Sequence, residues 1–177
     1  ALSEWLEVRV KRNGKIHSQE YKRGKPLGPV KEIGKTQTNG TFTIFAPDKS
    51  VFGNLQFDNQ IIEQGLRDRA FLIAGLKFHL KDERTGIEKH FYFEGGIRSL
   101  VDRLNRHKKP LHQVIFITKQ QSENTIEVAL QYNDGFSENI HSFVNVIKTT
   151  DGGTHLTGFR IALTRAINDY GRKIEFL

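Results

Sequence analysis

Apolar residues recur at helical spacing through the last part of the chain, where Leu156, Phe159, Leu163, Ala166, Ile167, Tyr170 and Ile174 fall on one stripe. The stripe predicts a long helix from Thr154 with one buried face. Arg160 and Thr164, four residues apart, lie together away from it, so the helix would hold cations outward. Gly152-Gly153-Thr154 precedes the helix. It reads as a tight turn with Thr154 as N-cap, because the lysine pattern of a phosphate-binding loop is missing.

The first part of the chain has a different rhythm. Leu6, Val8 and Val10 alternate with polar neighbours, and Arg12-Asn13-Gly14-Lys15 supplies a hairpin turn before a second strand over 16–21. Residues 25–29 hold two prolines and a glycine and read as a connection. A β-branched and aromatic run over 41–45 predicts a strand that Pro47 ends. Residues 57–71 predict an amphipathic helix with Phe57, Ile61, Ile62, Leu66 and Ala70 on one side. Segments 76–80 and 89–93 flank 82–86 as a second hairpin-like unit.

Glu94-Gly95-Gly96 reads as a hinge, and the domain boundary is placed at about Glu94. Ile97, Leu100, Val101 and Leu104 then mark a helix that ends before Pro110. Strands are expected over 114–118, 126–132 and 141–147. The sequence shows no repeat, low-complexity tract or coiled-coil heptad.

Composition adds limits. The chain has 177 residues, enough for one domain or parts of two. It has no Cys, which removes disulfides and thiolate metal sites and is compatible with a reducing cytoplasm. No apolar run approaches the roughly 20 residues that span a bilayer, and no secretory apolar region opens the chain. No initiator Met is present, and the chain is expected to be an excerpt of a longer protein. The net charge of +7 suits a polyanion partner or a merely solubilising surface.

The candidate chemistry is sparse. Among the seven His, His107 and His112 have no Asp or Cys cluster at ligand spacing, so no metal site is expected. His155, beside the helix start, is expected to pack or hydrogen-bond locally. Asn133-Asp134-Gly135 is a turn signal without an acid–base partner. The basic run Arg103, Arg106, His107, Lys108, Lys109 ends a helix, where cations complement its dipole, with proximity to DNA as the alternative.

Three ordered blocks carry a family resemblance: EGGIRSLVDRLNRHKKPLH over 94–112, EVALQYNDGFSENIHSFVN over 127–145 and DGGTHLTGFRIALTRAINDYGRK over 151–173. Together they resemble the bacterial DNA gyrase B family, the ATPase component of a type II topoisomerase, and the likeness runs through nearly the whole chain. It implies an α+β fold: the strand-rich second half of a Bergerat-type ATPase sandwich over 1–94, then the first part of a β-α transducer domain over 95–177. It implies ATP and Mg2+ as cofactors of the whole enzyme. The implied partners are double-stranded DNA, the gyrase A protein and, on ATP binding, a second copy of the gyrase B protein. Location in the cytoplasm, away from any membrane, is implied as well.

The resemblance also assigns positions. Thr41, next to Gly40, matches a threonine that hydrogen-bonds the adenine edge, and Arg12 matches an arginine at the pocket rim where aminocoumarin inhibitors bind. Arg160 matches an arginine facing the cavity that captures a DNA duplex; the bland alternative is a surface ion pair, for instance with Asp169. The family's catalytic glutamate, Mg-holding asparagine and terminal-phosphate lysine match no position here, so no catalytic residue is expected and the chain alone is expected not to hydrolyse ATP. The B protein of topoisomerase IV is the nearest rival, and a stand-alone nucleic-acid-binding module is the reading from another class. Asn168-Asp169-Tyr170-Gly171-Arg172-Lys173 and Gly14-Lys15-Ile16-His17 resemble gyrase more than its rival.

Overall fold

In the structure, a computed structural model that describes residues 2–176, the chain divides into two compact units, Ala1–Asp58 and Asn59–Leu177. The first is built on β1 (Ser3–Arg12) and β2 (Lys15–Lys22), an antiparallel pair closed by Arg12 opposite Lys15. Asn13 and Gly14 both have positive φ, 53° and 77°, the left-handed pair that a two-residue hairpin of strand-like twist needs. A second left-handed pair, Arg23 and Gly24, folds the chain back into β3 (Lys25–Pro26).

Beyond the connection, β4 (Lys31–Lys35) pairs with β2, and β5 (Gly40–Pro47) pairs with the other side of β1. The sheet path is β3-β2-β1-β5, so β5 lies at an edge. That position explains why the strand includes Pro47, which the sequence pattern expected to stop it: an edge strand tolerates a residue without an N–H. Neither β4 nor the short α1 (Lys49–Phe52) is signalled by periodicity. α1 is held by Asp48, a buried carboxylate that accepts from the Ser50 N–H at 2.9 Å and pairs with Arg23 at 2.7 Å.

The second unit opens with α2 (Asn59–Leu72), followed by the hairpin β6 (Phe78–Asp82) and β7 (Ile87–Phe91). The hairpin is centred where expected, with strands running further into the turn. α3 (Ile97–Asn105) and the hairpin β8 (Ile115–Gln121)–β9 (Asn124–Leu130) come next. Two-residue strands β10 (Phe143–Val144) and β11 (Ile147–Lys148) precede α4 (Thr154–Lys173). Packing concentrates where α2 meets the first hairpin. Ala70, Phe71 and Phe91 are buried there, and the Phe71 and Phe93 rings stack with centroids 3.7 Å apart.

Gly96 lies between α2 and α3. It is buried, has φ +56°, and a Cβ on it would sit 3.2 Å from the Ala74 Cβ. Both the dihedral and the close approach require glycine. Buried Asn105 ties the far end of α3 to the strand that follows, donating to the Gln131 side chain at 2.8 Å and accepting from Asn133 at 3.1 Å. Gln131 in turn donates to the His112 carbonyl at 2.8 Å.

Four expectations are corrected. The stripe on α2 is buried only in its second half: Ala70 is enclosed and Ile62 and Leu66 are half-buried, but Phe57 and Ile61 face solvent. The single strand over 141–147 is a small hairpin, because Asn145 takes φ 54° and turns the chain between β10 and β11. Ser142 and Thr149 close that hairpin through a 2.6 Å hydroxyl pair. Thr154 is the first helical residue of α4, not its cap; Gly153 occupies the cap, without a side-chain bond. Finally, the apolar stripe of α4 is half-buried at Leu156, Phe159 and Leu163 but exposed from Ala166 onward, with Tyr170 at 64%. Periodicity identifies the greasy side of a helix and says nothing of whether a neighbour covers it.

Candidate functional site

Two surface hollows gather the residues of interest, one in each unit. The first forms where β1 ends and β5 begins. The register sets Lys11 opposite Gly40 and Val10 opposite Thr41, so the hairpin turn after Arg12 and the start of β5 lie side by side. Side chains alternate across a strand, which puts Val10, Arg12 and Thr41 on one face of the sheet. Val10, Lys11, Arg12, Asn13, Asn39, Gly40 and Thr41 line an open hollow of about 370 Å³. Arg12, Gly40 and Thr41, which the family resemblance assigns to one pocket, therefore line one hollow.

The chemistry of this hollow is that of a pocket wall. Thr41 is exposed, and among the described residues its hydroxyl forms no side-chain hydrogen bond. It is free to donate and accept at the edge of a bound group. Arg12 is exposed as well, and among the described residues its guanidinium has no carboxylate partner. A Cβ on Gly40 would touch nothing within 4 Å, and its φ is not left-handed. Glycine is thus not needed for the strand; it keeps the floor beside Thr41 bare.

The opposite face of the same strands is occupied. Buried Glu7 accepts from Arg9 at 2.9 Å and from the Ser18 hydroxyl at 3.1 Å, and these bonds, that from Arg9 foremost, hold its carboxyl below the usual range. Arg9 also lies over the Phe42 ring at 5.6 Å. Arg9, within the strand, is therefore a structural partner, while Arg12 at the strand end has no carboxylate partner among the described residues.

The second hollow lies along α4. Arg160, Ile161, Thr164, Arg165, Asn168, Asp169 and Arg172 line an open surface depression of about 680 Å³. Arg160, Thr164, Asn168 and Arg172 follow one another at four-residue intervals, a polar row with a guanidinium at each end. Arg160 is 53% exposed and pairs with exposed Glu138 at 2.8 Å. The alternative of a surface ion pair is therefore met, with Glu138 in place of Asp169, which lies 3.6 Å from Arg165, one turn away. Exposed pairs of this kind contribute little to stability, so Arg160 is not locked in place.

The remaining candidates are structural. His112 uses both ring nitrogens, one against the Gln113 carbonyl at 2.6 Å and the other accepting the Tyr132 N–H at 3.0 Å. His107 accepts from Arg106 at 2.9 Å. The His155 ring lies 2.8 Å from where a Cβ on Gly153 would be, so it packs against the cap of α4. Asn133 accepts the Gly135 N–H at 2.9 Å and makes the turn expected there. Sequence reading missed one cluster, His79, Glu88 and His90, whose ligand atoms lie within 4.8 Å of one another.

Comparison with known proteins bears on both hollows. Residues 96–177 match the family model described as DNA gyrase B. The whole chain is 50% identical to the DNA gyrase B protein of Thermotoga maritima, of which it covers 29%. It is 43% identical to the DNA topoisomerase 4 B protein of Bacillus subtilis, of which it covers 27%. It is also similar to a solved structure, the 43K ATPase domain of Thermus thermophilus gyrase B in complex with an aminocoumarin. The TM-score is 0.90 and the identity 37%, over 99% of this chain and 49% of that one. The chain thus spans less than a third of the length of these two curated relatives.

Proposed function

Because this chain belongs to the DNA gyrase B family, we propose that it couples the nucleotide site of a type II topoisomerase to the capture and passage of duplex DNA. The observation that carries the reading is the meeting of Arg12, Gly40 and Thr41 in one hollow. Residues 1–94 supply one wall of an ATP pocket, and residues 95–177 supply the start of the transducer. The family-model match beginning at residue 96 supports that boundary, whereas the compact units divide earlier, between Asp58 and Asn59. Higher identity to gyrase B than to topoisomerase 4 B, 50% against 43% for the two relatives above, supports negative supercoiling with the gyrase A protein as the activity.

The hollow fits an adenine nucleotide. An unengaged hydroxyl on a rigid strand can complete the hydrogen bonds of a base edge, the bare Gly40 leaves room for a flat ring, and Arg12 offers a cation at the rim. ATP bound with Mg2+ supplies the phosphoanhydride whose hydrolysis drives the cycle. This chain's part is to bind and orient the base. The catalytic carboxylate and phosphate-gripping groups belong to segments outside residues 1–177, so the chain alone is inactive. A steady-state ATPase assay on the 177-residue chain should read no turnover above buffer; measurable turnover overturns that statement. In the full-length protein, Thr41→Val should weaken ATP binding by up to about tenfold, the size of one hydrogen bond. Unchanged affinity by calorimetry removes Thr41 from the pocket.

Arg160 gives the DNA side of the coupling. A guanidinium keeps its charge and forks onto phosphate oxygens, and such contacts position a duplex without reading its sequence. Arg160 is exposed, held among the described residues only by a surface carboxylate, and followed along its row by Thr164, Asn168 and Arg172. Arg160→Ala in the full enzyme should lower DNA-stimulated ATPase and leave basal nucleotide binding intact. Full DNA stimulation in that variant would exclude the role.

A further inference from the structure

We propose that the β6–β7 hairpin carries a site for a divalent transition-metal ion of the zinc class, formed by His79, Glu88 and His90. Strand register makes the site. His79 stands directly opposite His90, and Glu88 lies two residues before His90 on the same strand. Alternation of side chains puts all three on one face of the two-stranded sheet. The other face is committed to packing: Phe91 is buried, Phe78 and Leu80 are half-buried, and Lys89 donates to Glu63 of α2 at 2.5 Å. The hairpin is therefore anchored on one side and offers imidazoles and a carboxylate on the other.

The donor atoms are gathered, but the rings are not yet aimed at one point. The two imidazoles stack nearly in parallel, centroids 4.3 Å apart and planes within 9°, so one ring must turn before both in-plane lone pairs meet at one ion. The Glu88 carboxylate is hydrogen-bonded to the His79 Nε2 at 2.7 Å, a bond the ion would replace, and lies 3.9 Å from the His90 Nε2. Donors held about 2.0–2.1 Å from a tetrahedral zinc are themselves separated by about 3.3 Å. One distance must lengthen and the other shorten by roughly 0.6 Å, a shift within reach of side-chain rotation on a fixed backbone. Two neutral imidazoles and one carboxylate match the preference of zinc for nitrogen and oxygen donors, and the donor set is too nitrogen-rich for Mg2+ or Ca2+. All three side chains are about half or more exposed, so an ion there would complete its coordination with water.

The charged groups facing the cluster are few. On the same face, Lys81 stands opposite Glu88, and its flexible stem lets the ammonium turn to solvent when a cation binds. Arg84, further into the turn, is held by Asp82 through two bonds of 2.9 and 3.0 Å. The proposal rests on the hairpin alone and is independent of the nucleotide and DNA readings.

The test is Zn2+ binding by isothermal titration calorimetry on the full-length protein, free of nucleotide and Mg2+, beside a His79→Gln/His90→Gln double variant. Loss of one zinc equivalent in the double variant, with an unchanged melting curve in chelator, is the expected result. Glu88→Gln should weaken the same site at least about tenfold. Co2+ in place of Zn2+ should give visible absorption bands that the double variant lacks. Equal zinc uptake by wild type and double variant would overturn the site, whatever the outcome of the ATPase experiments.

Discussion

Gly40 and Gly96 show how one residue type serves opposite ends. Gly96 has a left-handed φ and no room for a Cβ beside Ala74, so its value lies in the fold. Gly40 has open space and an ordinary φ, so its value lies in what can approach it. Gly96→Ala should cost about 1–3 kcal/mol in chemical denaturation, and Gly40→Ala should stay within about 0.5 kcal/mol. Equal effects at the two positions would contradict this division. Neither packing environment is legible in the chain, where Gly95-Gly96 reads as a hinge and Gly40 is marked out only by standing beside Thr41. Arg9 and Arg12 make the same point among cations. One is tied to Glu7 and the other has no carboxylate partner among the described residues, and only the three-dimensional surroundings tell them apart.

Elements are held by carboxylates as much as by apolar contact. The turn between β6 and β7 is organised by buried Asp82. It accepts from the Arg84 side chain and the Arg84 backbone N–H, and from the Asn59 side chain at the start of α2. These bonds, with that to the Arg84 side chain largest, hold the Asp82 carboxyl far below its ordinary value. Glu63, against Lys89 and Arg67, is lowered in the same sense. A carboxyl whose folded pKa is depressed stabilises the fold fully above its unfolded pKa. It loses that contribution as the pH falls through its folded value. Urea stability of the protein should therefore hold above about pH 4 and decline below it. Asp82→Asn should be less stable near neutrality and less acid-sensitive. A variant with the wild-type acid slope would show that Asp82 does not carry the effect. The Asn13-Gly14 turn and the 20 residues of α4 are legible from sequence because each is set by neighbours within a few positions. β4 and the β10–β11 hairpin are not, because pairing partners and one left-handed asparagine decide them.

For the molecule as a whole, the distribution of apolar surface is the main finding. Ala70, Phe71 and Phe91 are the fully buried apolar residues among those described, while Phe42, Ile44 and Phe45 on β5 and Ile167, Tyr170 and Ile174 toward the end of α4 are exposed. Patches of that kind mark surfaces built to be covered, which disfavours a self-sufficient nucleic-acid-binding module. Prepared alone, the 177-residue chain should bind a hydrophobic dye such as ANS, and the full-length protein should bind far less per molecule. A compact, dye-free monomer would restore the module reading. Among the described residues no helix is long and apolar enough to cross a membrane, so this surface does not form a helical span.

The alternation of Leu6, Val8 and Val10, the Asn-Gly turn, the periodic stripe of α4 and the blocks shared with the gyrase B family were determined by the sequence itself, since each is local or a matter of order along the chain. Only the tertiary structure decided the register that sets Arg12 and Thr41, 29 positions apart, on one face of the sheet. It alone decided that Arg160 answers to Glu138 rather than Asp169, and that His79 meets His90 and Glu88. The physical reason is common to all three: strand register and the docking of a helix bring together residues that local propensity cannot relate, and the chemistry of a site is set by distance in space.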